Sequence, residues 1–315
     1  MDGSILVSVV IPLFNKEASI ARAIDSVLSQ DFPVSEVIVV DDGSTDRSRS
    51  VAENYTRRGV RIIEQENRGV SAARNAGIEN ASSDLIALLD ADDIWNPDHV
   101  SNLVGLVVQF PEARLFSTLI SDNKKRIGAR VGADELVKEY GEFVLENGWC
   151  VNSSCVMFHR SVWGDVGGFP EGETHGEDIV TWFKMSELTP VAISRKVDAY
   201  YDRSAGANAS FFIKDQDGAF VKYIDEKIIS DPGSVDECSL EIRNKMILSK
   251  SFFLVASGKV FDLRGYIFRA RLTKRFRFFY VALLALSFFP ARVSSRLAVS
   301  YLKLKSGHMR GQRFR

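Results

Sequence analysis

Three strand-length, mostly apolar runs, residues 5–11, 36–40 and 85–89, are each followed by a polar cluster, at 15–17, 41–46 and 90–93. A run that stays apolar rather than alternating belongs to a strand buried on both faces. After the first run, Ile20, Ala23, Ile24, Val27 and Leu28 recur at helical spacing, with Asn15 in the place of a helix cap. The unit repeats as a helix over 46–57, a strand over 61–63 and a helix over 70–80. Such alternation predicts an α/β domain, a mostly parallel sheet flanked by helices. Ligands on these sheets bind beyond the carboxyl ends of the strands, so the three polar clusters converge on one crevice.

Downstream, the pattern predicts a helix from Pro97 to 109, a strand over 114–119, a strand over 152–159 and a short helix over 161–166. Gly167-Gly168-Phe169-Pro170 makes a turn before a helix over 177–187. Residues 120–150 have weak periodicity and receive no assignment.

Asp90-Ala91-Asp92-Asp93 sets up to three carboxylates at the end of a buried run. Hard oxygen donors of this kind hold Mg2+ or Mn2+, which take one or two carboxylates and complete their shell with substrate phosphates. Equally, an Asp here caps the helix that starts near Pro97. Asp41-Asp42-Gly43-Ser44-Thr45-Asp46 is a second acidic turn. Its carboxylates suit a base N–H or ribose hydroxyls, and a cap at Ser44 or Asp46 is the alternative.

The order of four segments narrows the choice: Val7-Ser8-Val9-Val10-Ile11-Pro12-Leu13-Phe14-Asn15-Lys16-Glu17, Val39-Val40-Asp41-Asp42-Gly43-Ser44-Thr45-Asp46, Asn67-Arg68-Gly69-Val70-Ser71-Ala72-Ala73-Arg74-Asn75-Ala76-Gly77 and Leu89-Asp90-Ala91-Asp92-Asp93. Over roughly residues 5–100 the chain resembles the family 2 glycosyltransferases of GT-A, Rossmann-like fold. That resemblance implies a nucleoside-diphosphate sugar donor, UDP-linked by default, and a divalent metal cofactor, Mn2+ or Mg2+. It implies that Pro12, Phe14 and Glu17 line the base pocket, that Asp42 faces the base, and that Asp90 with Ala91 adjoins the ribose. Asp92 then coordinates the metal, and Arg74 lies near the nucleotide or on the helix surface.

Gly176-Glu177-Asp178, preceded by Val166-Gly167-Gly168-Phe169, is similar to the family's later Glu-Asp motif. By that analogy Asp178 is the general base for an acceptor hydroxyl, and the sugar is transferred with inversion in a single displacement. Without the analogy, Glu177 and Asp178 are favourable charge in the first turn of a helix. Trp149 and His175 are candidates for a sugar or acceptor platform, while Trp182 is expected in the core. Arg203 is the cation nearest to where many relatives close over the diphosphate, and the histidine often found there is absent.

Thirteen of the 40 Lys and Arg follow Asp262, and none of the 41 acidic residues does. An apolar run over 278–290 sits inside this basic tail, and its thirteen residues fall short of the roughly 20 that a membrane-spanning helix needs. The expectation is a segment lying on an anionic membrane surface, where a lipid-linked or glycan acceptor is met. Packing of that run on the domain or on a second subunit, as a homo-oligomer, is the alternative. Nucleic acid is not an expected partner, because no aromatic-rich recognition motif accompanies the charge.

Cys150, Cys155 and Cys238 lack paired spacing and read as reduced thiols. The N-terminal apolar run breaks at Pro12 with no basic stretch before it, unlike a signal peptide, so the expected location is cytoplasmic, peripheral on the inner face of the membrane. The expected organisation is a catalytic domain over 1–215, with a nucleotide half to 98 and an acceptor half from 99, then a helical connector over 216–263 and the basic segment over 264–315. A dinucleotide enzyme lacks its Gly-x-Gly-x-x-Gly turn here, since Pro12-Leu13-Phe14-Asn15 follows the first strand. A nucleotidylyltransferase lacks its Gly-rich basic loop, which leaves a non-catalytic sugar-binding or scaffold protein as the rival of a different class.

Overall fold

The computed structural model describes residues 5–173, 175–202, 218–256, 267–270 and 277–286. The chain divides into two compact units, Met1–Ser210 and Phe211–Arg315.

The first unit opens with β1 (Val7–Leu13), α1 (Ile20–Leu28), β2 (Glu36–Asp41), α2 (Ser48–Glu53), β3 (Val60–Glu64), α3 (Val70–Glu79) and β4 (Leu85–Leu88). It continues with β5 (Ile94–Trp95), α4 (His99–Gln109), β6 (Leu115–Ser121), β7 (Glu135–Val137), α5 (Tyr140–Asn147), β8 (Val156–His159), α6 (Arg160–Asp165), α7 (Glu177–Ser186) and β9 (Val191–Tyr200). The strands form one sheet in the order β3-β2-β1-β4-β8-β6-β9-β5, with β7 also pairing β9.

From β3 to β4 every pairing is parallel. Beyond β4 the sheet is mixed: β8 runs antiparallel to β4 and β6, β9 is parallel to β6, and β5 and β7 are antiparallel to β9. The parallel expectation therefore describes the nucleotide half. In the second half β8, reached from α5 through a 3-10 turn over Ser153–Cys155, runs opposite to both of its neighbours.

Every residue of β1 is buried, including Ser8, whose hydroxyl donates to Glu36 Oε1 at 2.5 Å. On α1, Ile20, Ala23, Ile24 and Val27 are the buried apolar positions, the i, i+3, i+4, i+7 stripe facing the sheet. Each of the Ile and Val side chains contributes roughly 1.5–3 kcal/mol by leaving water. Helix α3 comes so close to the sheet that a Cβ at Gly77 would lie 2.3 Å from Val10 Cγ1.

Three local expectations change. Asn15 does not cap α1, which starts at Ile20 after Ser19 with no side-chain cap bond. Instead Asn15 takes the left-handed conformation, φ 52°, and its Oδ1 accepts from Thr45 N at 2.8 Å. The helix expected over 46–57 is shorter, α2 followed by a 3-10 turn over Thr56–Arg58. The first residues of the strand expected over 152–159 form the 3-10 turn, because the Asn152 side chain accepts from Ser154 N at 3.0 Å.

The second unit contains α8 (Ala219–Ser230), α9 (Glu237–Ala256) and α10 (Arg277–Leu286). Val221, Ile247, Leu248, Val255, Ile267, Ala270 and Leu283 form its own apolar cluster. Among the described residues no helix is long and apolar enough to cross a membrane.

Candidate donor site and catalytic carboxylate

A cleft of about 460 Å³ opens where the carboxyl ends of β1, β2 and β4 meet the start of α3. Pro12, Leu13, Phe14 and Lys16 line it from β1, Asp42 from β2, and Asp90, Ala91 and Asp92 from β4. The loop into α3 adds Asn67, Gly69 and Val70, the helix adds Ala73 and Arg74, and Glu177 and Tyr201 come from the second half. The parallel register explains the convergence: β1 lies between β2 and β4, so three consecutive strand ends face the same side.

Asp42 is 3% exposed and already busy. Its Oδ1 accepts from Gln65 Nε2 at 2.7 Å and Arg68 N at 2.9 Å, and its Oδ2 accepts from Gly69 N at 2.8 Å. A carboxylate has about four acceptor positions, which leaves one beyond the three that hold the loop forming the cleft wall. Phe14, 43% exposed, presents an aromatic face at the mouth.

The three acids of the 90–93 cluster have separate environments. Asp92 Oδ2 meets Lys16 Nζ at 2.6 Å. Asp90 Oδ1 meets Arg74 Nη2 at 2.8 Å. Asp93 is turned into the core, where its Oδ2 accepts from Ser154 Oγ and burial pushes its pKa up to about 8. The same Ser154 Oγ accepts from Asp90 N at 3.1 Å, which fixes the backbone of the cluster.

Arg74 is the junction between the two halves of the sheet. Only 3% exposed, it donates from Nη1 to Glu177 Oε1 at 2.9 Å as well as to Asp90, and its guanidinium lies 5.4 Å from the Phe169 ring centroid. Burial works against its charge, but Asp90, Glu177 and Asp178 outweigh that and push its pKa up. Among the described residues its buried Nε has no hydrogen-bond partner. Arg74 is thus buried at the cleft wall rather than exposed on the helix surface.

Asp178 sits in the first turn of α7, beside Glu177, with Oδ1 accepting from Ile179 N at 2.7 Å. Burial raises its pKa to about 7; Glu177 adds to the rise and Arg74 opposes it. A carboxylate poised there suits a proton acceptor at neutral pH. Asp178 does not itself line the cleft described above.

The other candidates are placed differently. Glu17 does not line the cleft; its Oε2 accepts from Arg47 N at 3.1 Å and Nε at 3.2 Å, which ties the start of α1 to the turn after β2. Trp149 and His175 are half-buried and outside the cleft lining. Trp182 is fully buried, edge-on to Phe169 with centroids 5.3 Å apart, as a core residue. Arg203 lies outside the described residues. Leu13, Lys16, Asn67, Gly69, Val70, Ala73 and Tyr201 line the cleft without having been expected as site residues. All but Tyr201 stand inside the motifs quoted above, and their orientation in the fold decides their place, whereas Tyr201 stands two residues before Arg203, in the segment where many relatives close over the diphosphate.

The donor chemistry of a divalent metal fits this site. Mg2+ and Mn2+ take one or two carboxylates with phosphate oxygens, and Asp92 presents a carboxylate in a cleft with room for such a ligand. No group of three or more metal-ligating side chains occurs among the described residues, so Asp92 would hold the ion together with oxygens brought by the donor.

Residues 8–161 match the model of glycosyl transferase family 2. The putative teichuronic acid biosynthesis glycosyltransferase TuaG of Bacillus subtilis is 36% identical over 185 residues, 57% of this chain and 71% of that protein. Glycosyltransferase GlyA of Streptococcus pneumoniae is 37% identical over 106 residues, 33% of this chain but only 15% of its own length. An uncharacterized glycosyltransferase of Nostoc, alr2836, is 34% identical over 162 residues, 49% of this chain and 50% of its own. In fold, the chain is similar to Staphylococcus aureus TarS residues 1–349, solved in complex with UDP-GlcNAc, with a TM-score of 0.62 at 17% identity over 99% of this chain and 93% of that one. With four ordered motifs converging on one cleft, a family model over residues 8–161 and a 36% identical relative covered over 71% of its length, the chain belongs to glycosyl transferase family 2 and has its GT-A fold.

Proposed function

We propose that the protein is an inverting glycosyltransferase that moves a sugar from a nucleoside diphosphate to a hydroxyl of a glycan or lipid-linked acceptor. The observation that carries this reading is the Arg74 clamp, which joins Asp90 at the donor cleft to Glu177 beside Asp178. Glu177 lines the cleft and precedes Asp178 in the chain, which supports a proton acceptor next to the donor.

In this reading Phe14 packs on the base, the remaining acceptor position of Asp42 takes a base N–H, and Asp90 adjoins the ribose. Asp92 holds Mn2+ or Mg2+, which when bound neutralises charge on the departing diphosphate. Asp178 accepts the proton of the acceptor hydroxyl as its oxygen attacks the anomeric carbon from the face opposite the diphosphate. One C–O bond forms as the other breaks, which inverts the centre. UDP is the proposed nucleotide, in keeping with the UDP-GlcNAc complex of the TarS neighbour. A place in cell-surface polysaccharide synthesis is in keeping with the names of TuaG and of the succinoglycan biosynthesis protein ExoW.

The proposed location is the cytoplasmic face of the membrane, through the second unit. On α10, Phe278 is 91% and Val281 55% exposed, and Ala282 and Ala285 share their face. Leu283 points the other way, into the cluster with α9.

Thermal-shift screening with UDP, GDP and dTDP sugars and Mn2+ identifies the donor, because a ligand of the folded state raises its stability. Turnover of that donor by Asp178→Asn then tests the mechanism: kcat falls by about 10² to 10⁴ while nucleotide affinity stays within a factor of two or so. Full turnover in this variant removes Asp178 as the base, and failure of every donor to bind favours a scaffold role.

A further inference from the structure

We propose that Lys16 is a resident counter-ion of Asp92, holding the carboxylate that a divalent cation takes and thereby setting how tightly that cation binds. The inference rests on Asp92 being the metal ligand. Lys16 Nζ lies 2.6 Å from Asp92 Oδ2, and the two side chains are 24% and 16% exposed. The pair is therefore partly shielded from water inside the donor cleft that both residues line.

The backbone that carries Lys16 is held on three sides. Asn15 is the one described non-glycine residue with positive φ, at 52°. Its N donates to Ser44 Oγ at 3.1 Å, and its Oδ1 accepts from Thr45 N at 2.8 Å and Asp46 N at 3.3 Å. Lys16 N donates to Ser48 Oγ at 2.6 Å. The turn after β2 thus fixes the direction in which Lys16 leaves the end of β1, toward the end of β4.

The cluster at 90–93 leaves a cation few choices. Asp93 is buried against Ser154, and Asp90 is bound by Arg74, which is itself held by Glu177 and packed on Phe169. Asp92 is the acid whose partner can leave, because an ammonium on a flexible four-carbon stem has no planar, two-pronged grip. A cation that takes Asp92 must displace that ammonium, and so binds less tightly than Asp92 alone would allow. A diphosphate entering the cleft offers Lys16 another anion, so nucleotide and metal help each other to bind.

The test is Mn2+ binding to the full chain, read from the electron paramagnetic resonance signal of free Mn2+, with and without UDP. Lys16→Met and Lys16→Gln are expected to lower the Mn2+ Kd without nucleotide by roughly 2- to 5-fold, as loss of a partly exposed ion pair implies. The tightening of Mn2+ by UDP is expected to shrink in both, and Lys16→Arg, whose planar guanidinium can grip the carboxylate with two donors, to raise the Mn2+ Kd above the wild-type value. An unchanged or weaker Mn2+ Kd in both neutral variants overturns the counter-ion role. Asp92→Asn separates the two ideas: Mn2+ retained there overturns the metal reading beneath, whereas its loss there leaves the Lys16 outcome to be judged by the neutral variants.

Discussion

The ring of His99 stacks on Trp95 with centroids 4.4 Å apart, and its Nδ1 meets Thr118 Oγ1 at 3.2 Å. Burial lowers its pKa from 6.5 to about 3, against a small opposing pull from Asp98. A group depressed in this way stays neutral in the folded chain while the unfolded chain takes up the proton, so its stabilising contribution is present above pH 6.5 and lost as pH falls toward 3. Each unit is worth about 1.4 kcal/mol, so this residue alone removes roughly 2–3 kcal/mol between pH 6 and pH 4. Urea unfolding at both values is the measurement: His99→Gln should lose less stability across the interval by about that amount, and an equal loss in both proteins would contradict the assignment. The acids of the donor site show the same environmental control. Asp42, Asp92 and Asp93 share one residue type and lie near one cleft, yet one holds a loop, one meets a lysine and one is buried.

Among elements, the contact of α3 with β1 and β2 does most to shape the donor site, because α3 carries Arg74 on the helix that Gly77 seats. An alanine Cβ at Gly77 would lie 2.3 Å from Val10 Cγ1 and 3.1 Å from Val40 Cγ2, whereas one at Gly105 in α4 meets nothing within 4 Å. Alanine favours either helix by about 1 kcal/mol over glycine, and overpacking a core costs typically 1–3 kcal/mol or more. Gly105→Ala should therefore raise Tm by a few degrees, and Gly77→Ala should lower it and weaken nucleotide binding. Calorimetry in which Gly77→Ala matched or exceeded the wild type would contradict this close approach. The strand β9 illustrates what local pattern hides. Its Arg195, Lys196 and Asp198 break an apolar reading, but Arg195 pairs with Glu135 and Lys196 with Asp98, while Asp198 accepts from Asn102 Nδ2 at 2.9 Å. These partners come from β7 and from the start of α4, distant in sequence, so no pattern local to the strand reveals them.

At the scale of the molecule, the chain joins a unit bearing the donor cleft to a smaller helical unit whose α10 shows an apolar face, in a segment rich in Lys and Arg and without acids. Each basic residue near an anionic leaflet contributes on the order of 1 kcal/mol. Flotation with phosphatidylglycerol vesicles should recover the full chain at low salt, and recovery should fall sharply for Phe278→Asp with Val281→Asp and for uncharged phosphatidylcholine vesicles. Equal flotation of the double variant sinks the anchoring role of α10. The sequence by itself determined the β-α alternation of the nucleotide half, the four motifs and the family resemblance, because each rests on residues adjacent in the chain and on burial that periodicity reports. Only the tertiary structure decided that the sheet turns mixed beyond β4, that Asn15 bridges two loops instead of capping a helix, and that Glu17 stands outside the cleft. It also decided which acid meets which cation: Lys16 with Asp92, and Arg74 with Asp90 and Glu177. Ion pairs of that kind join residues 16 to 103 positions apart, and no spacing rule along a chain encodes them; they follow from which strand ends the sheet order places side by side.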